Sequence, residues 1–438
     1  MRAAFHTLGC KVNAYESQAI LEQFRENGFA IVDFRDEADV YIVNTCSVTA
    51  EAARKSRQML HRCKKKNPAC LVAAIGCYAQ EVREELLADG AVDLVVGNNE
   101  KNKIAETVLA MLQQEPRPER ILYQDLTHCT EYEEQEITNQ GDHVRAYVKI
   151  QDGCDRFCSY CIIPFLRGRS RSRKPEEIRK EVGQLAEHGY QEIVLTGIDL
   201  SDYREDGQTL ADIIGIVNEV PGISRIRISS LEERIITEDF LRQIKAYEKL
   251  CPHFHLSLQS GCDETLKRMN RHYTAKEYLQ AVSLIRQYFQ DPAITTDVIV
   301  GFPGETEEEF AESKRTVEKA AFSEVHVFPF SRRKGTKADQ MPDQLTRSQK
   351  EARVTSMMEL TRKLQNAYLR SFLGKELSVL VEEEIVVEGN LYQVGFSRNY
   401  LKCAIHTNEK LINKIVTFVP EEICEISGEP VLVLKRKI

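Results

Sequence analysis

Two rhythms of apolar residues alternate along this chain. Short, nearly continuous apolar runs read as buried strands, and longer stretches with apolar positions at helical spacing read as amphipathic helices. In residues 1–120 the pattern predicts strands at 2–7, 39–45, 71–75 and 92–96. Helices are predicted at 14–27, 49–63, 80–88 and 101–114, the first with Ile20, Leu21 and Phe24 on one face and Gly28 as its stop. Strand and helix in strict alternation predict a doubly wound parallel α/β domain. Residues 121–143, with the Pro-containing 114–119 before them, are polar, acid-rich and aperiodic, and read as a linker.

Alternation resumes over 144–345. Strands are predicted at 144–150, 192–196, 225–229, 254–258, 294–300 and 324–328, and helices near 175–188, 209–220, 237–247, 275–288 and 306–320. Thr237, Thr274 and Thr306 are in place to cap helices. Six strand–helix units are fewer than a closed eight-unit barrel needs, so an open, partial (β/α)6 barrel is expected, with its site at the strand carboxyl ends. A long helix at 346–372 ends near Gly374. From 373 to 438 the helical period disappears, and short strands at 376–382, 391–396, 401–405, 415–420 and 430–434 predict a small all-β barrel.

Composition narrows the class. The 438 residues are 42% hydrophobic and 29% charged, the balance of a globular protein. The apolar runs are strand-length and too short to span a membrane as a helix. The first residues lack a signal peptide's apolar region. Thirteen cysteines without a secretion signal point to the reducing cytoplasm and to metal ligation rather than disulfides. A net charge of −8 excludes a global basic field. Basic islands do occur, at Arg54–Lys66, at Arg167–Lys174 and at Arg332–Lys337, and each alone reads as a solvated face.

The cysteines carry the chemistry. Cys154, Cys158 and Cys161 form a C-x3-C-x2-C run at the end of the first barrel strand. Three thiols leave one unpaired in any disulfide scheme, and structural zinc normally closes with four ligands. Cys-only ligation with one open position fits an iron–sulfur cluster. Cys10, Cys46 and Cys77 each sit where an amino-terminal strand gives way to a helix. In doubly wound folds those strand ends line one crevice, so three thiols distant in sequence should converge there. Cys63, Cys70, Cys129, Cys251 and Cys262 lack such positions and read as packed residues. His255 reads as a core or supporting residue rather than a ligand.

The C-x3-C-x2-C run with Tyr160 before its last cysteine resembles the radical S-adenosylmethionine (SAM) superfamily. The segments TLGCKVNAYES, VNTCSVT and GCYAQ, with HFHLSLQSGCDETLKRMNRHYT and VFPFSRRKGT further on, resemble the methylthiotransferase family within it. The resemblance implies two [4Fe-4S] clusters, one on Cys154, Cys158 and Cys161 and an auxiliary one on Cys10, Cys46 and Cys77. It implies SAM as methyl donor and radical source, held near Tyr160, Gly197, Ser257, Gln259, Val300 and Gly301. Arg167, Arg169 and Arg171 are candidates for the SAM carboxylate or for RNA phosphate. GFSRNYLKC resembles the TRAM module, which implies RNA contacts from Tyr392, Arg398 and Lys402, with Phe396 and Tyr400 as further stacking surfaces. That module's eight Lys/Arg against ten Asp/Glu argue against a strong electrostatic clamp.

The Lys11-Val-Asn13 form of the first motif resembles the branch acting on N6-threonylcarbamoyladenosine in the tRNA anticodon loop. Sister branches act on N6-isopentenyladenosine or on a ribosomal protein. A non-catalytic, zinc-bound RNA-binding protein is the reading from a different class. The family also implies an electron donor such as flavodoxin or ferredoxin, a sulfur source, and no membrane.

Overall fold

The computed structural model describes residues 1–113, 120–139, 141 and 144–434. The expected linker residues 114–119, 140, 142 and 143 lie outside the described residues, as do 435–438.

The amino-terminal part is a six-stranded sheet, parallel throughout. Its strands are β1 (Arg2–Thr7), β2 (Ala30–Val32), β3 (Val40–Thr45), β4 (Leu71–Gly76), β5 (Leu94–Val96) and β6 (Ile121–Leu122), in the spatial order β2-β1-β3-β4-β5-β6. The order reverses between β1 and β3, which opens a crevice at their carboxyl ends. Helices α1 (Lys11–Glu26), α2 (Ala50–Lys66), α3 (Cys77–Glu81), α4 (Arg83–Ala88) and α5 (Ile104–Leu112) complete the unit. Residues of β3 and β4 are buried at every position. Alternation sends Val40 and Ile42 to one apolar cluster and Tyr41 and Val43 to another, so both faces of the sheet are covered. Two edge strands, β2 and β6, are additions to the sequence reading; runs of three and two residues leave no periodic signature.

The second part is an arc of parallel strands. Arg145–Lys149, Glu192–Thr196 and Arg225–Ile228 form one ladder, and His253–His255, Ala293–Val300 and Glu324–Pro329 another. A parallel bridge between Leu231 and Leu256 joins them. Ile193, Leu195, Ile226, Phe254, Ile294 and Val298 face outward into one large core beneath the helices. The opposite, concave face is polar. It carries Arg145 and Lys149, Glu192, Arg227, His253 and His255, Thr295 and Asp297, and His326. Thr274 and Thr306 close capping boxes, and Thr237 accepts from the Phe240 N–H, as their spacing predicted.

Helix Arg347–Arg370 packs on the last barrel strand, pinned by the buried Arg353 on Glu305 at 2.6 Å. The carboxyl-terminal sheet holds six strands in the order Ile415–Phe418, Leu377–Val387, Asn390–Ser397, Lys402–His406, Glu429–Leu434, Glu422–Ile426. The last of these, with glutamates at 422 and 425, is absent from the sequence reading.

This sheet seats on the amino ends of the barrel strands. Arg225 donates to the carbonyls of Phe396 (2.9 Å) and Ser378 (2.8 Å), and Arg227 to those of Ser397 (2.7 Å) and Arg398 (2.9 Å). Tyr400 stacks on His253 with centroids 4.7 Å apart and on Phe396 at 4.8 Å. The residues expected to contact RNA lie at or near this seam. Arg398 donates to the carbonyls of Glu248 (2.5 Å) and Leu250 (2.8 Å) at the barrel base. Lys402 pairs with Glu429 at 2.8 Å, and Tyr392 packs into an apolar cluster beside His406. Phe396 and Tyr400 are already stacked. Buried carbonyls at the seam demand donors, and Arg398 meets that demand for Glu248 and Leu250.

The described part of the expected linker is ordered as a strap. Ile137 is fully buried with Tyr15 and Ala19 of α1, and Tyr132 donates to the Lys149 carbonyl at 2.8 Å. Two apolar anchors among acidic residues are too sparse to register as a periodic element. Among the described residues no helix is long and apolar enough to cross a membrane.

Candidate active site: two cysteine trios at one chamber

Each of Cys10, Cys46 and Cys77 emerges from the end of a strand, and each turn has its own reason. Cys10 is the residue before α1. Gly9, at φ +104, lets the backbone pass Cys46; a Cβ there would lie 3.1 Å from the Cys46 Sγ. Ser56 fixes Cys46 from both sides, accepting from its N–H at 3.0 Å and donating to its carbonyl at 2.9 Å. Cys77 opens α3 after Gly76 at φ +88, where a Cβ would meet the Asn44 Oδ1 at 2.4 Å. Asn13 ties two turns together, donating to the carbonyls of Leu8 (2.8 Å) and Thr45 (3.2 Å). The thiols interact electrostatically with one another, Cys46 with Cys10 and Cys77, and Cys10 with Cys77. Burial pushes the Cys46 thiol up to about 11 and raises that of Cys10.

The second trio lies in a loop braced on three sides. The strands Gln151–Asp152 and Arg171–Ser172 pair antiparallel beneath it. Gly153, at φ +71, sits so close to Arg169 that a Cβ would lie 1.9 Å from its carbonyl oxygen. Asn270 donates to the Phe157 carbonyl at 3.0 Å, and the N–H of Ser159 to the Met269 carbonyl at 2.9 Å. Arg271 points its Nη1 at the Cys158 Sγ, 3.5 Å away, and the Arg156 N–H lies 3.4 Å from the Cys154 Sγ. Burial pushes the Cys161 thiol up to about 12. Desolvated thiols give up protons when a metal cation takes their place.

The two trios are neighbours. Cys77 packs in one cluster with Ile162, Ile163 and Leu166, against which Cys154 and Cys161 also pack. Asn98 joins the two sides, donating to the Leu166 carbonyl at 2.9 Å and to the Cys77 Sγ at 3.7 Å. Among the described residues, the one trio of His, Cys, Asp or Glu with all ligand atoms within 4.8 Å is His255, Asp297 and His326. Both cysteine trios are set wider than that. Sulfurs around a single zinc lie about 3.8 Å apart, given bonds of about 2.3 Å in a tetrahedron. Three thiols with one position left open are the donor set of an iron–sulfur cluster, and in that chemistry both sets of residues fit the groups that the sequence implied.

Behind the trios lies a buried charge hub. Arg167, fully buried, donates to Glu16 (3.0 Å), to Asp152 (3.0 Å) and to Asn13 (2.8 Å). Lys149 reaches Glu16 (3.1 Å) and Asp152 (3.2 Å), and Lys101 reaches Glu16 (3.0 Å). Burial alone would raise both carboxyls, but Arg167 and the lysines hold Glu16 and Asp152 below the usual range. Glu16 and Asn13 belong to α1, just after Cys10, and Asp152 lies two residues before Cys154, so the hub fastens both ligand loops to one point. This corrects the expectation that Arg167 and Arg171 meet SAM or RNA. Arg171 is buried on the carbonyls of Arg167 and Arg169. Arg169 is exposed, paired with Asp155 and lying over the Phe157 ring.

The expected SAM residues divide. Tyr160 stands edge-on to Phe302 and within electrostatic range of Cys158 and Cys161. Gly197 makes room for Gln151, whose Oε1 accepts from the N–H groups of Ile198 and Asp199, both at 2.9 Å. Ser257 and Gln259 stand at the end of the fourth strand on the concave side, and Gln259 adopts φ +61. The Val300 side chain is buried in the outer core, so its backbone is what faces the strand ends. Gly301, at φ +70, is spanned by Lys350 of the long helix, and its N–H donates to Glu305 at 2.6 Å.

An acid–arginine group beside Cys154 escaped the sequence reading. Asp199 interacts electrostatically with Cys154 and is flanked by Asp202, Glu232, Arg156 and Arg234. Burial, then Glu232 and Asp202, push the Asp199 carboxyl up to about 6. Asp199 sits just past Gly197 at a strand end, the one signal that pointed to it. Cys63 and Cys70 pack together on the far face of the amino-terminal sheet.

Comparison with known proteins agrees with this architecture. The radical SAM superfamily model matches residues 148–317, and that of the uncharacterised family UPF0004 matches residues 2–97. The chain is 40% identical over 418 residues to the threonylcarbamoyladenosine tRNA methylthiotransferase MtaB of Bacillus subtilis, covering 94% of this chain and 92% of the relative. It is 34% identical to the tRNA-2-methylthio-N(6)-dimethylallyladenosine synthase of Acetivibrio thermocellus, covering 94% and 86%. Among solved structures, the radical SAM methyltransferase TsrM of Kitasatospora setae shares the fold at a TM-score of 0.58 and 12% identity, covering 77% of each chain.

Proposed function

The chain belongs to the radical SAM tRNA methylthiotransferases, and from that premise we propose that it places a methylthio group on C2 of N6-threonylcarbamoyladenosine, just 3′ of the anticodon. The observation that carries the reading is the meeting of Cys77 with Cys154 and Cys161, which sets two three-thiol sites from different parts of the chain at one chamber. We assign the [4Fe-4S] cluster of the superfamily to Cys154, Cys158 and Cys161, and a second cluster, holding the sulfur to be transferred, to Cys10, Cys46 and Cys77. With SAM, the first supplies a carbon radical able to take the unactivated C2 hydrogen, which no side-chain base removes near neutral pH.

The chain's own residues do the rest. Arg271 and the Arg156 N–H direct positive charge at the thiolates of Cys158 and Cys154. Tyr160, Gly197, Ser257, Gln259 and the backbone at Val300 and Gly301 form the rim on which SAM is proposed to lie. Asp199 and Glu232 offer carboxylates for its ammonium, and Arg234 and Arg156 offer guanidiniums for its carboxylate. C2 of an adenine lies on the edge of a stacked base, so the target nucleotide must leave its stack to reach the trios. Helix α2 starts four residues after Cys46, and Arg54 and Lys55, exposed in its first two turns, are the proposed phosphate contacts. A low-potential donor of the flavodoxin or ferredoxin class and a sulfur source complete the proposed partners.

A pH dependence follows from Asp199. It is ionised above its value of about 6 and neutral below it. SAM affinity is expected to weaken as pH falls from 7 to 5, and Asp199→Asn to lower affinity about tenfold and flatten the profile, since a charge-assisted hydrogen bond is lost. Anaerobic equilibrium dialysis of SAM measures both; an unchanged profile in Asp199→Asn removes Asp199 from the site. For the function itself, tRNA from a strain lacking this protein is expected to retain N6-threonylcarbamoyladenosine and lose its 2-methylthio form. Nucleoside mass spectrometry showing that form unchanged overturns the assignment.

A further inference from the structure

We propose that Lys11 is the carboxylate anchor of the chamber, selecting an adenosine whose N6 substituent ends in a carboxylate over one whose substituent is apolar. The inference rests on the reading above and adds the group that enforces it.

Lys11 is the first residue of α1 and the neighbour of Cys10 in sequence. Its side chain is exposed, yet the groups within its electrostatic range are Tyr400, Arg145, Arg227 and Asp297. Three of these belong to barrel strands and the fourth to the sheet seated on the barrel. His253, on the concave face, also feels Lys11. A side chain with those neighbours and open surface projects into the barrel interior and not into bulk solvent.

The other cations of that interior are committed. Arg145 pairs with Glu382 at 2.9 Å, Arg227 with Glu192 at 2.7 Å, and Lys149 with Glu16 and Asp152. Among the described residues no hydrogen bond or ion pair holds the Lys11 ammonium. Asp297, the acid among its strongest electrostatic neighbours, faces His255 at 3.4 Å. Lys11 therefore presents three open donors on a flexible stem beside the thiol trio assigned to the transferred sulfur. An adenine with C2 at that trio brings its N6 substituent, borne on the same ring, within the stem's sweep.

The opposite wall strengthens the selection. His255, Asp297 and His326 converge from three adjacent strands, with His255 hydrogen-bonded to Thr295 at 3.0 Å. A threonylcarbamoyl group offers this wall a hydroxyl and a ureido group, and offers Lys11 a carboxylate. An isopentenyl group would desolvate the same groups and pair none of them. A site built from polar groups rejects an analogue lacking their partners far more strongly than an apolar pocket rejects an added group.

The test uses the full-length, reconstituted protein and three synthetic anticodon stem-loops. One carries N6-threonylcarbamoyladenosine, one its neutral carboxamide, and one N6-isopentenyladenosine. Binding is read by fluorescence anisotropy without reductant, and product formation separately in single turnovers. Wild type is expected to prefer the carboxylate loop to its carboxamide by about tenfold or more, Lys11→Met to lose that preference, and Lys11→Arg to keep part of it. Iron and sulfide content reports whether the Cys10 turn survives; where Lys11→Met loses metal, Lys11→Gln serves in its place. A carboxylate preference surviving in the metal-replete neutral variants overturns the anchor. A preference that vanishes on chelator treatment of wild type overturns it in favour of a cation on His255, Asp297 and His326. Wild type that converts only the isopentenyl loop overturns the functional reading and the anchor with it, whereas wild type active on the threonylcarbamoyl loop with Lys11→Met unchanged sinks the anchor alone.

Discussion

Arg167→Met is expected to destabilise the protein by about 3–5 kcal/mol, the cost of stranding buried carboxylates when a partner is removed. Arg167 is fully buried and bridges Glu16 and Asn13 of α1 to Asp152 at the root of the C-x3-C-x2-C loop. Lys101 and Lys149 remain in the variant, but neither holds Asn13 and each reaches the carboxylates from one side only. Arg167→Lys keeps the charge without the planar fork, so an intermediate loss is expected. The chain has no Trp, so guanidinium unfolding is best followed by far-UV circular dichroism. A transition midpoint in Arg167→Met equal to wild type would show that the hub does not join the two parts.

The hub also sets an acid limit. Glu16 and Asp152 are held below their ordinary values, so their contribution is complete above the unfolded range of about 4 and is lost as pH falls through the depressed folded values. Acid unfolding of wild type is expected to begin below about pH 4, and Arg167→Met to move the onset upward.

Cys46→Ala and Cys158→Ala are each expected to reduce methylthiolated product to background, for different reasons that a second measurement separates. Each variant should lose roughly half of the iron and sulfide, since each removes one of three ligands to one cluster. Cys158→Ala should also lose 5′-deoxyadenosine formation from SAM, because Cys158 lies in the trio braced by Arg271 beside the proposed SAM rim. Cys46→Ala should retain it. Cys63→Ala, altering a thiol packed against Cys70 away from both trios, should leave iron unchanged. Full iron and sulfide in Cys46→Ala would refute a second cluster.

Much of this was legible locally. The C-x3-C-x2-C spacing confines three thiols to one loop whatever the rest of the chain does. Strand-end placement carried Cys10, Cys46 and Cys77 to one crevice, since β1, β3 and β4 are adjacent and parallel. Threonine caps at 237, 274 and 306 were readable because a cap depends on residues within one turn. The short edge strands β2 and β6, the polar strand Glu422–Ile426 and the strap through Ile137 were not, because they take their order from partners and not from their own pattern.

The basic islands show where local reading stops. Arg167, Arg169, Arg171 and Arg173 look alike in sequence, yet Arg169 is exposed while the others are buried, Arg167 on Glu16, Arg171 on nearby carbonyls and Arg173 on Glu181. Arg398 and Tyr400 looked like an RNA surface and form the seam between two sheets.

By itself, the sequence determined the strand–helix alternation, the two sets of thiols and the family they resemble. Periodicity and short spacings are properties of neighbouring residues. Only the tertiary structure decided which charges are buried, which aromatics seal the barrel base, and that Lys11 comes within electrostatic range of Arg145, Arg227 and Asp297. Those outcomes depend on partners such as Glu16 and Arg167, 151 residues apart, and burial obliges each charge to find its complement wherever the fold supplies one.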